Sequence, residues 1–116
     1  MERTDAYHVL ASADRQHVVH ELSTRRSDPE LSTLARAVAA RRHRIDPESV
    51  PDEYVDRARV RLIHTHLPKL DEHGVVSYES DGDRIALEED DTVERLLEVA
   101  DELPAWPPDR RPRRVK

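Results

Sequence analysis

Residues 62–90, LIHTHLPKLDEHGVVSYESDGDRIALEED, contain the change of periodicity that decides the fold. Up to Gly74 the apolar residues keep helical spacing. On a wheel of ~100° per residue begun at Asp52, Val55, Leu62, Ile63, Leu67 and Leu70 fall on one face. Beyond Gly74, Val76 and Tyr78, then Ile85 and Leu87, alternate as strand residues do, and Asp-Gly within SDGD is a strong hairpin turn. The stretch predicts a helix over about 52–73 that stops at Gly74, followed by a β-hairpin. Pro68 offers no N–H to the carbonyl of His64, so a kink or local irregularity is expected there. Arg59 and His66 fall on the apolar side of the wheel. They need buried partners, or else the first turn departs from regular helix. Arg57, Arg61, His64 and Thr65 lie on the opposite face, with Lys69 at its edge.

Upstream, Thr4 and Asp5 are placed to cap a short helix over AYHVL, and Ser12 a second over ADRQHVVHELS. In the second, Arg15, Val18, Val19 and Leu22 recur at helical spacing, with the three aliphatics facing inward. Pro29 disfavours helix at Asp28. Ser32 or Thr33 then caps LARAVAARRH, whose Leu34, Ala35 and Val38 form a narrow stripe, and IDPESVP reads as a loop. Downstream of the hairpin, EEDD is a favourable helix N-terminus. Val93, Leu96, Leu97, Ala100 and Leu103 make a final amphipathic helix over about 90–103. Residues 1–103 are thus expected to form a single domain of α+β class, mostly α. Residues 104–116, PAWPPDRRPRRVK, read as a mobile tail with Trp106 as its candidate anchor.

The composition bounds what such a domain does. With 116 residues, 38% of them charged, no Phe and one Trp, the core must come from Leu, Val, Ile and Ala. That core is thin, so a homodimer is expected to add burial. Val93, Leu96, Leu97, Ala100 and Leu103 are the expected dimerisation stripe. Mean hydropathy is −0.84. No apolar run is long enough to span a membrane and no charged-then-apolar leader is visible, so a soluble, cytoplasmic protein is expected. The absence of Cys excludes disulfides, thiolate metal sites and thiol redox sensing.

Net charge is −6, but it is unevenly spread. Residues 1–51 balance at 8 basic and 8 acidic side chains, and residues 52–74 carry 4 and 5. The excess acid lies in residues 75–103, with 2 basic and 11 acidic, and the tail is basic. Lys69 and Lys116 are the only lysines. This Arg-for-Lys, acid-rich, aromatic-poor make-up resembles the proteins of halophilic archaea. There, self-repulsion of an acidic chain is screened by salt.

HLPKLDEHGVV is similar to the end of the recognition helix and the entry to the wing in winged helix-turn-helix regulators of ArsR-like type. The matching positions are His66, Leu67, Leu70, Gly74, Val75 and Val76. LASADRQHVVHEL resembles the opening helix of that class and LSTLARAVA its second helix. HxHLPKL resembles haloarchaeal winged-helix domains largely of unknown function. The resemblance covers roughly residues 6–88. It implies a winged helix-turn-helix with an extra C-terminal helix. Two departures stand out: RIDPESVPDEY makes a longer link before the reading helix, and the wing tip ESDGD is acidic, with only Arg84 nearby.

The resemblance implies a DNA-binding transcriptional regulator that sets a helix in the major groove of double-stranded DNA and works in high salt. Arg57, Arg61, His64 and Thr65 would face the groove, while Lys69 and Arg84 would reach the backbone. The alternative is a winged-helix module for protein–protein contact or dimerisation without DNA binding. A metal site is not expected, since His64 and His66 point ~200° apart on a helix. His17 and His20, three apart, share a face and would need a carboxylate across a dimer to complete a site. With two glycines, both at turns, and no Ser/His/Asp grouping, neither an enzyme nor a cofactor is expected, and an effector is not legible.

Overall fold

The computed structural model describes residues 1–78, 84–104 and 106–108. The expected hairpin turn at SDGD and most of the tail therefore lie outside the described residues. Elements follow the order α1 (Arg3–Val9), α2 (Ala13–Thr24), α3 (Leu31–His43), a 3₁₀ turn (Pro47–Ser49), α4 (Asp52–Arg61), a π-helical turn (Leu62–His66), α5 (Leu67–Glu72), β1 (Val76–Tyr78), β2 (Ile85–Leu87) and α6 (Asp91–Asp101). The protein is a mostly helical α+β domain with a small antiparallel sheet.

Helix α2 begins where Ser12 accepts a hydrogen bond from the Arg15 N–H at 3.3 Å, the cap expected there. It runs through the middle of the domain: Val18, Val19 and Leu22 are buried, and so are Asp14, Arg15, His17 and Glu21. Two other helix starts differ from the expected caps. Helix α1 starts from Glu2 and α3 from Glu30, neither with a side-chain cap. For α3 the cause is local. Pro29 and Glu30 are extended and pair with the returning strand, the Ile85 N–H donating to the Pro29 carbonyl at 3.0 Å beside a Glu30–Arg84 bridge. Helix can start only after that pairing ends. Helix α3 closes on Arg44 in the left-handed region (φ 57°), with the Ile45 N–H returning to the Ala40 carbonyl at 2.9 Å.

The long link to α4 is not loose. Val50 is buried, and Arg36 donates to the carbonyls of Pro47 (3.1 Å) and Val50 (3.4 Å). The helix expected over 52–73 is continuous but not regular. Just ahead of Pro68 it widens into the π turn, where the Leu67 N–H bonds back five residues to Leu62. That extra residue shifts the helical phase, so one wheel cannot describe both halves. Val55, Ala58 and Leu62 bury the first half, Leu67 and Leu70 the second. Ile63 and Arg59, both placed on the inner face by the single wheel, are exposed. Gly74 (φ 75°) stops α5 as expected, and Val75 N–H closes on the Leu70 carbonyl at 2.9 Å.

In the hairpin, Val76 pairs with Leu87, Ser77 with Ala86 and Tyr78 with Ile85. Val75, Val76 and Ile85 point into the core formed with Leu34, Leu62, Leu67, Leu70 and Leu96. Each such side chain contributes about 1.5–3 kcal/mol by leaving water. Helix α6 is capped by Asp90, whose side chain accepts from the Val93 N–H at 3.2 Å, and it packs on α1. Most of the stripe expected to dimerise lies inside this chain. Val93, Leu96 and Ala100 are buried in the chain's own core, and only Leu97 and Leu103, at its edge, remain partly exposed. Arg3 and Glu102 tie the same pair of helices together at the surface. No helix among the described residues is long and apolar enough to cross a membrane.

Candidate nucleic-acid interface

Helix α4 rests on α3 through Val55, Ala58 and Leu62, and its opposite face is uncovered. The exposed residues of α4 and the π turn include Glu53, Asp56, Arg57, Val60, Ile63, His64 and Thr65. Of the six residues expected to touch DNA, Arg57, His64 and Thr65 therefore share this outer surface. Arg57 makes only a loose pair with Glu53 at 3.8 Å, both ends well exposed. Its guanidinium also lies 6.0 Å from the ring of Tyr54, which in turn stacks on His43.

The other three cations are bonded within the fold. Arg61 donates through Nε to Asp14 Oδ2 at 2.6 Å and is only partly exposed. Lys69 Nζ lies 3.2 Å from His8 Nε2. Arg84 donates to the Asp28 carbonyl at 2.7 Å, tying the hairpin to the segment before α3. Spacing alone marks these residues as outward-facing. It does not carry the long-range partners that turn them back.

Beneath the outer face lies a buried polar network that sequence reasoning did not assemble. Asp14, at the start of α2, receives Arg61, then Arg42 at 3.2 Å, and meets His66 Nε2 at 3.3 Å. Arg15 Nη1 faces His66 Nδ1 at 3.3 Å. A guanidinium can only donate, so Nδ1 is the acceptor and the ring's N–H points at Asp14. Arg15 also donates to the carbonyls of Val9 (2.8 Å) and His8 (3.2 Å), closing the end of α1. Burial pushes the Asp14 carboxyl up. The hydrogen bonds from His66 and Arg61 and the charges of Arg61 and Arg42 outweigh it, holding the group well below the usual carboxylate range. Burial lowers the Arg15 guanidinium, partly offset by the charge of Asp14. The network fixes the π turn, and with it the direction of His64 and Thr65. The one available signal was His66 itself, a polar residue on an apolar face that required a partner.

Two features of the surface depart from a simple cationic reader. The first turn of α4 carries Asp52 and Glu53, with Asp56 one turn on. Val60 (55% exposed) and Ile63 (40%) put aliphatic carbon at the centre of the face. The two histidines that share a face of α2 have different surroundings. His17 is buried, within reach of the charges of Arg41 and Arg42, whereas His20 meets the edge of Trp106 at 5.5 Å. That contact seats Trp106 on α2, the anchor expected of it.

Residues 7–86 match a family described as a domain of unknown function (DUF7344), and the chain belongs to that family. The matched span runs from α1 through the hairpin and leaves α6 outside. No curated protein and no solved structure matches the chain.

Proposed function

We propose that this protein is a DNA-binding regulator of winged helix-turn-helix type that reads duplex DNA with the outer face of α4 and the π turn. The observation that carries the reading is the strand pairing at Pro29–Glu30. A segment between α2 and α3 joins the edge of the hairpin, giving helix, bridge, helix, helix, hairpin in the order such domains use. In that arrangement α2, α3 and α4–α5 are the three helices, and α4 is the one left uncovered.

Arg57, His64 and Thr65 supply donors and acceptors suited to base edges, with Arg59 exposed nearby. Glu53 and Asp56 oppose phosphate at the helix start, so contact would centre on the second half of α4 and the π turn. In molar salt the screening length falls to ~3 Å, and the net charge of −6 costs little.

A gel-shift series in molar KCl, using duplexes drawn from the DNA upstream of its own gene, tests the proposal. Retardation of a subset of duplexes is expected. Arg57→Ala and His64→Ala should each weaken it by about tenfold, from the 1–3 kcal/mol a base contact supplies, without lowering the thermal midpoint. Failure of every duplex to shift, or a double variant that binds like the wild type, overturns it. Arg61→Ala is a poor probe here, because it also strips Asp14 of its closest partner.

A further inference from the structure

The outer face of α4 has a second property, independent of any nucleic acid. Glu53, Asp56, Arg57 and Val60 recur at i, i+3, i+4 and i+7 of α4, so they form one stripe, with His64 exposed beyond its end in the π turn. Along the helix axis it places the acids Glu53 and Asp56 first, then Arg57, then the aliphatic Val60, with His64 beyond. A shallow groove of about 440 Å³ is lined by Asp56, Arg57, Val60 and Arg61. Those four positions are symmetric about the midpoint between Ala58 and Arg59.

Such a stripe is complementary to itself reversed. We infer that the partner of this face is a second copy of the chain, with the two α4 helices antiparallel about a two-fold axis at that midpoint. Val60 of each copy enters the groove beside Arg57 of the other. Asp56 of each lies against Arg57 of the other, and Glu53 against His64. An isologous contact of this kind closes at two copies. A parallel arrangement would set acid on acid, and an unrelated apolar partner would leave the exposed charges of Glu53, Asp56 and Arg57 desolvated without partners across the contact. Carrying one helix face per copy, the interface belongs to the small, weak class below about 1,200 Å². It covers the same residues proposed to face DNA, so association and DNA contact would exclude each other.

Sedimentation of the full chain from micromolar to about millimolar concentration tests this directly. The mass should rise from 13.4 kDa toward twice that value. Val60→Glu should keep the chain monomeric, and Asp56→Arg and Arg57→Glu should each do the same alone. Mixing the Asp56→Arg and Arg57→Glu chains should restore a dimer, since each then supplies the charge the other lacks. All three positions are exposed, and an unchanged helical circular dichroism spectrum verifies that each variant folds. A wild type that stays monomeric, a Val60→Glu chain that dimerises as well as the wild type, or a mixture that fails to associate each overturns the inference. None of these outcomes bears on whether the monomer binds DNA.

Discussion

At the scale of single residues, Asp14 holds three helical segments together. Its carboxylate is buried, yet three partners converge on it from α3, α4 and the π turn. Asp14→Asn leaves Arg61 and Arg42 without their anion. Because both arginines retain some solvent, a loss of about 2–4 kcal/mol is expected, at or below the range for breaking a fully buried pair. The pH dependence follows from the direction of the shift. The folded carboxyl sits below its ordinary value of 3.8, so its contribution is complete above that pH and is lost as pH falls through the folded value. Urea midpoints between pH 2 and 5 should show the onset of that acid-side loss below pH 3.8 in the wild type and a shallower one in Asp14→Asn. His17 acts earlier. Burial, then the charge of Arg41, lowers it from 6.5, and its Nδ1 has no hydrogen-bond partner among the described residues. Stability is therefore complete above 6.5 and falls as pH drops below it, because only the unfolded chain takes up the proton freely. His17→Leu should flatten the slope just below pH 6.5, and an unchanged slope would place the effect elsewhere. Neither residue was legible as a site. Periodicity marks what is apolar and inward, and both are polar groups on a helix that happens to be central.

At the scale of elements, the sequence announces helix types and stops well and phases poorly. Ser12, Gly74 and the alternation on both sides of SDGD all act as expected, because caps, left-handed stops and period-2 patterns are local. Ile63 was misplaced because the missing N–H of Pro68 sits beside a turn that gains a residue, and no wheel carries a phase shift it has not been told about. Two stops with positive φ provide a paired test. Gly74→Ala meets no atom within 4 Å of the new Cβ but must hold φ 75°, so a loss of about 1 kcal/mol is expected from the backbone alone. Arg44, at φ 57°, has the converse problem, and Arg44→Gly should gain about 0.5–1 kcal/mol. Denaturant midpoints should move in opposite directions at constant m. Movement in the same direction would mean that side-chain contacts, not backbone conformation, set these ends.

At the scale of the whole molecule, α6 buries Val93, Leu96 and Ala100 in the chain's own core. Its stripe was legible as apolar, but whether a helix covers its own core or a second copy depends on where the chain folds back, which spacing does not encode. In the monomeric Val60→Glu chain, Leu96→Ala should cost about 2–5 kcal/mol, with an unfolding midpoint independent of protein concentration. A concentration-dependent midpoint would instead tie the helix to assembly. Charge belongs to this scale too. With few cations on the proposed reading face, affinity for DNA should fall only gently with salt, on the order of two or three released counterions. The proposed function is tested most directly by following backbone amide NMR signals of the full chain while a retarded duplex is added. The largest shifts should fall between Glu53 and Thr65, led by Arg57, His64 and Thr65, with Asp14 and α6 unmoved. Shifts confined to other surfaces, or none at saturating duplex, would contradict the reading-helix assignment.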